Sequence, residues 1–215
     1  MARAGVHVVR AMLAERDFRR LLRLRLAGQC GDGLFQGALF GAAFFNPEKA
    51  TSAAAAAAAF AALLLPYSVV GPFAGVLLDR WSRQRVLLVS NVLRAGLLVL
   101  VALSLAGSGA TSATTVGLAL VTVSLNRFVL SGLSAALPQV VDEHQLVTAN
   151  AFTTTLGAAA TTVGGFSSLL LREWWGEDDS GAARTAAVAG AVYVLAALCA
   201  HRIGRRRLGP TDAVL

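Results

Sequence analysis

Apolar residues along this chain come in long blocks rather than in alternation, and polar residues collect in the short gaps between blocks. A hydrocarbon core about 30 Å thick takes ~20 helical residues to cross. Six blocks reach that length: Leu22–Phe45, Ala53–Leu78, Val86–Ala106, Thr115–Leu137, Leu146–Leu171 and Ala182–Ala200. The gaps carry breaking or polar residues. Asn46-Pro47-Glu48-Lys49 ends the first block, Gly107–Thr114 ends the third, and Pro138 with Val141–Gln145 separates the fourth from the fifth. An acidic, Trp-bearing loop, Arg172–Ser180, is expected between the fifth and sixth, with Trp174 and Trp175 in the interfacial belt. The second block opens on alanines and holds Pro66 and Pro72, and the fifth is rich in Thr, Ala and Gly. Both are expected to pack on other helices rather than on lipid. The pattern predicts an all-α, polytopic membrane protein with six transmembrane helices. Residues 1–20 form a basic lead-in on the cytoplasmic surface, 21–201 the bundle, and 202–215 a basic cytoplasmic tail.

Composition agrees with this division. The 215 residues are 56% hydrophobic and 14% charged, against roughly 25% charged in a soluble domain. The net charge of +7 does not point to nucleic acid, because the basic residues sit at the ends of apolar blocks and not along one face. With the N-terminus inside, 14 of the 19 basic residues fall in residues 1–25, the 79–85 hinge and the tail, Lys49, Arg172 and Arg184 fall at the outer side, and Arg94 and Arg127 lie deeper within spans. That bias places both termini in the cytoplasm, with the chain in the cell's inner (plasma) membrane. Cys30 and Cys199 lie in separate apolar blocks and read as small buried hydrophobes. No G-x-S-x-G elbow or H-E-x-x-H pair occurs, and His7, His144 and His201 lie near the membrane surfaces. An enzyme is not expected, nor a bound metal or cofactor.

The hinge between the second and third blocks, GPFAGVLLDRWSRQR over residues 71–85, is similar to a signature of the major facilitator superfamily, G-x-x-x-D-R/K-x-G-x-R/K-R/K. Gly75, Asp79, Arg80, Gln84 and Arg85 fall in register, and Arg83 is a further base. Ser82 stands where that family usually has Gly, and Gln84 where it usually has a base. Phe18-Arg19-Arg20-Leu21 leading into Gln29, Gly31 and Asp32 resembles the opening of the branch containing macrolide-efflux proteins and the enterobactin exporter. Leu137-Pro138-Gln139-Val140-Val141 with Leu146 and Ala149-Asn150-Ala151 resembles an inter-span motif of the same branch. Two signatures are imperfect: Arg127 and Gly132 are one residue too far apart, and Gly157–Gly165 lacks the proline of an exporter motif.

The resemblance implies one six-helix bundle of two three-helix repeats, half of the family's usual twelve spans. It implies a secondary transporter, proton-driven and exporting small amphipathic molecules, with a second six-span half as a separate chain or a second copy. A non-transporting six-span remnant or partner subunit is the alternative. By the same resemblance, Gly75, Asp79, Arg80, Arg83 and Arg85 form a cytoplasmic gating loop. Topology control by positive charge is the simpler role for those bases.

Ionisable groups inside spans are costly and are functional candidates. Asp32, Arg94 and Arg127 qualify. At 1.5 Å per residue, Asp32 and Arg127 lie about 15 Å, and Arg94 ~12 Å, from the inner ends of their helices. Depth therefore allows Asp32 to pair with either arginine. The family's cavity is lined by spans one and four, which favours Asp32 with Arg127 as a proton-coupling pair, Gln36 beside them, and Arg94 as a brace. A static pair locking helices together is the competing role.

Overall fold

The computed structural model describes residues 2–39 and 82–203, and side chains from His7 onward. The second expected span, Gly75, Asp79 and Arg80 of the hinge, and Arg205 to Arg207 lie outside the described residues. Those described form helices and turns, with no strand among them. In chain order the helices are α1 (Ala2–Ala14), α2 (Arg16–Ala38), α3 (Arg83–Ser108), α4 (Ala113–Ala136), α5 (Leu146–Trp175) and α6 (Asp179–His201). Two single 3-10 turns, Leu137–Gln139 and Glu143–Gln145, join α4 to α5.

Among the described residues, four stretches are long and apolar enough to cross a bilayer: Arg83–Ser108, Ala113–Gln139, Glu143–Trp175 and Asp179–His201. They coincide with the third to sixth expected spans. The described part of the first, in α2, is also helical, though it carries more charge than these four.

Local chemistry sets the boundaries. α1 ends at Ala14, where the Arg19 guanidinium donates to the Leu13 and Ala14 carbonyls at 2.6 and 2.7 Å. A cation on terminal carbonyls satisfies groups the helix itself leaves open. α2 thus begins at Arg16, inside the expected lead-in. Gly109, at φ +81°, closes α3, and the Ser112 hydroxyl caps α4 by accepting from the Thr115 amide.

The Trp-bearing loop is shorter than expected. Arg172, Glu173, Trp174 and Trp175 are the last turn of α5, and the connection begins at Gly176. Nothing in Arg-Glu-Trp-Trp breaks a helix, whereas Gly176 takes φ +101° and Asp178 accepts from the Gly181 amide at 2.9 Å to start α6. That amide holds the Asp178 carboxyl below its ordinary range. Thirty residues make α5 about 45 Å long, so its end overshoots the hydrocarbon layer. Trp174, 86% exposed, sits on the overshoot.

α2 packs mainly on α5 and α6, α3 mainly on α6 and α4. The α3–α6 seam sets Leu98, Val101 and Leu105 against Ala182, Ala186 and Ala189. Phe18, Leu21 and Leu24 of α2 build a second cluster with Leu133 and Ala196, and α1 docks on it through Met12. Val92, Leu93, Val99, Leu100 and Leu103 of α3 face outward, as lipid-facing residues do. α5 is the least covered: only 17% of its span is buried, against 50% for α6. What it buries is one narrow stripe, Ala149, Thr153, Gly157, Gly164 and Ser168. That stripe is laid against α2 so tightly that a Cβ on Gly33 would fall on the Thr161 carbonyl, and one on Gly164 on the Cys30 carbonyl.

Candidate functional site: an ionic hub and a groove along α2

Asp32 is 3% exposed and Arg94 not at all. The two form an ion pair from α2 to α3. Tyr193 of α6, also fully buried, donates its hydroxyl to Asp32 Oδ1 at 2.8 Å. Its ring lies 3.8 Å beneath the Arg94 guanidinium, where the ring's electron-rich face favours a cation. Arg94 also donates to Asn91 Oδ1 at 3.2 Å and to Asn126 Oδ1 of α4 at 3.3 Å. Asn91 is held in turn by donating to the Leu87 carbonyl at 2.7 Å. One carboxylate and one guanidinium thereby tie together α2, α3, α4 and α6. Gly31 makes room for this: a Cβ there would meet Tyr193 Cε1 at 2.7 Å.

The expected pair of Asp32 with Arg127 is not formed; Arg94 takes the carboxylate. Successive helical residues are turned about 100°. On α4 it is Asn126, 8% exposed, that reaches the hub, so Arg127 next to it is aimed elsewhere and is half-buried. Arg94, expected as a brace, is the centre of the cluster. Tyr193, Asn91 and Asn126 were not anticipated. The signal available was a polar side chain inside an apolar block, three residues before Arg94 in one case and adjacent to Arg127 in another.

A second feature lies on the same helix. Gln29 and Gln36, one turn to either side of Asp32, line a groove between α2 and α5 of about 580 Å³, with Gly33, Thr161, Thr162 and Phe166 among its walls. At its edge Arg25, 7% exposed, donates to Gln29 Oε1 at 3.1 Å, Thr153 Oγ1 at 3.2 Å and Thr154 Oγ1 at 3.3 Å. Gly157 leaves the space for these bonds, since a Cβ there would overlap Gln29 Oε1 and lie 3.1 Å from Arg25 Nε.

Of the hinge residues, Arg83 is half-buried and Arg85 exposed in the first turn of α3. Gln84, where the resembled signature has a base, is 2% exposed and donates to the Ala200 carbonyl of α6 at 3.1 Å. A cation there would have to be buried; the neutral amide places its nitrogen on that carbonyl, although its oxygen is buried without a hydrogen-bond partner.

No protein-family model matches the chain, and no solved structure matches it. Two curated relatives do: uncharacterised MFS-type transporters of Mycobacterium bovis and Mycobacterium tuberculosis, each 46% identical over 211 residues. The likeness covers 98% of this chain and 48% of each relative, so the chain spans about half the length of the curated relatives it matches.

Proposed function

We propose that this chain is one six-span bundle of a secondary active transporter of the major facilitator superfamily. It works by alternating access against a second bundle, exporting small amphipathic molecules at the expense of the proton gradient. The observation that carries the reading is the 46% identity along 98% of the chain to proteins named as transporters of this type. The all-helical architecture and the four stretches able to cross a membrane support it. The macrolide-efflux and enterobactin-exporter branch, the inner membrane and cytoplasmic termini come from sequence motifs and arginine placement, as does the gating role of Gly75, Asp79, Arg80, Arg83 and Arg85.

In this reading Asp32 carries the proton. Protonating one member of a buried ion pair leaves the other charge unpaired, at a cost of about 3–5 kcal/mol. Inverting a two-state equilibrium from 99:1 to 1:99 takes about 5.5 kcal/mol. Loss of the Asp32 charge therefore supplies most of what a switch between two bundle arrangements demands, through the uncompensated Arg94. Gln36 and Arg127 are cavity groups in this scheme. Asp32→Asn is the test: the variant accumulates in the membrane, and the assembled transporter loses pH-driven dye efflux. Unchanged efflux in that variant excludes Asp32 as the coupling group.

A further inference from the structure

We propose that the groove between α2 and α5 binds an amphipathic anion, with Arg25 and Gln29 as the anchor for its acidic head group. The proposal rests on the transporter reading for its biological meaning and deepens it by assigning the substrate a charge.

The argument begins with charge balance. Arg20 is paired with Asp17 and Arg94 with Asp32. Arg25 is buried, though less completely than Arg94, and its hydrogen bonds among the described residues go to neutral oxygens, those of Gln29, Thr153 and Thr154. Three acceptors answer three of its five N–H groups and none of its charge. A buried cation without a counter-charge is costly, and a low-dielectric surround strengthens its pull on an incoming anion. Asp32 offers no relief, being engaged by Arg94 and Tyr193.

The lining suits the same ligand. Gln29 spends its side-chain oxygen on Arg25, so its amide N–H groups are what it has left for the groove. The Thr161 and Thr162 hydroxyls donate to the Gly157 and Ala158 carbonyls. Among the described residues, no acid lines the space. Phe166, 65% exposed, offers an apolar wall for the body of the molecule. The volume falls within the roughly 300–1,000 Å³ of ordinary small-molecule sites. A carboxylate or phosphate at Arg25, with an apolar body along Phe166, satisfies each element.

Equilibrium binding to the purified full chain in neutral detergent tests this, with 1-naphthaleneacetate as the anion and its uncharged amide as the isostere. The carboxylate is expected to bind at least roughly tenfold more tightly. Arg25→Gln removes the difference and Arg25→Lys keeps part of it, while Phe166→Ala weakens both ligands and preserves their ratio. Equal affinities in the unaltered chain overturn the proposal, as does discrimination surviving Arg25→Gln. Should Arg25→Gln not accumulate, the carboxylate-to-amide ratio in the unaltered chain and in Phe166→Ala decides. Repeating the titration in nanodiscs separates two sources of the anion. Competition by phosphatidylglycerol but not phosphatidylcholine identifies a lipid head group, and absence of competition identifies a free amphiphile. Both outcomes support the anion site. Failure of the transporter reading would show separately, as absent efflux with the binding ratio intact.

Discussion

Each side chain of the hub answers a cost created by another. Arg94 could not be wholly buried without Asp32, and Asp32 could not be without the Tyr193 hydroxyl and the guanidinium together. The pair is thus expected to behave non-additively on mutation. Arg94→Gln alone strands a buried carboxylate and should lower stability by about 3–5 kcal/mol, whereas Arg94→Gln with Asp32→Asn should recover most of the loss. Thermal unfolding in detergent measures both. Recovery through Arg127→Gln instead would contradict the geometry. Asp32 and Arg94 are legible in sequence because charges inside apolar blocks are rare. Their partnership is not, because depth along a helix is readable from residue count whereas rotation about its axis depends on packing. Asn126 and Arg127 differ by one residue, and only one of them reaches the hub.

At the scale of elements, the boundaries of α3, α4 and α6 follow their apolar blocks within a few residues, since hydrophobic length and turn chemistry fix them. The C-terminal end of α5 does not, because helix-compatible polar residues carry it beyond the apolar block to Gly176. Contact between α2 and α5 is set by absent side chains. Gly33 and Gly164 each meet the other helix's backbone, and carbonyls, unlike side-chain tips, have no rotamer by which to retreat. Gly164→Val is therefore expected to separate α5 from α2 while leaving the α3–α6 seam in place. Cross-linking between cysteines at Gln36 and Leu169, which line the groove from α2 and α5, against a pair across α3 and α6, would register the selective loss; equal loss at both would show a general collapse. Orientation belongs to this scale too. The arginine placement puts Ser82 inside and Ser180 outside. On a background lacking Cys30 and Cys199, an impermeant thiol reagent added externally should label a cysteine at 180 and not one at 82; the reverse pattern inverts the topology.

For the molecule as a whole, the chain corresponds to about half of each relative it resembles. Alternating access needs two bundles rocking about a site between them. The sparsely buried α5 exposes Val163, Phe166, Leu169 and Leu170 next to the groove that Gln29 and Gln36 of α2 line, a mixed apolar and polar surface on which a second bundle could pack. The purified chain is accordingly expected to transport only as a dimer or together with a second bundle. Liposome reconstitution with oligomeric state and pH-driven efflux measured on the same sample tests it, and a monomer that performs proton-coupled efflux refutes it. A lone inert monomer would instead fit the remnant alternative. The all-helical character and the third to sixth apolar spans were legible from hydropathy. The groove was not, because it exists only where two helices cross.

Gln29 and Gln36 of the groove lie one turn to either side of Asp32 on α2, whereas the carboxylate itself is turned to Arg94 and Tyr193 and is not part of the groove's lining. Binding at two such neighbouring points obeys reciprocity: the factor by which a proton on Asp32 alters the occupant's affinity equals the factor by which the occupant alters the proton's. If the chain transports as proposed, the sign of that one factor fixes the sense of coupling. An occupant held more firmly when Asp32 is protonated rides with the proton as a co-passenger. An occupant released by the proton is traded for it, and export against an inward proton flow requires this second sign.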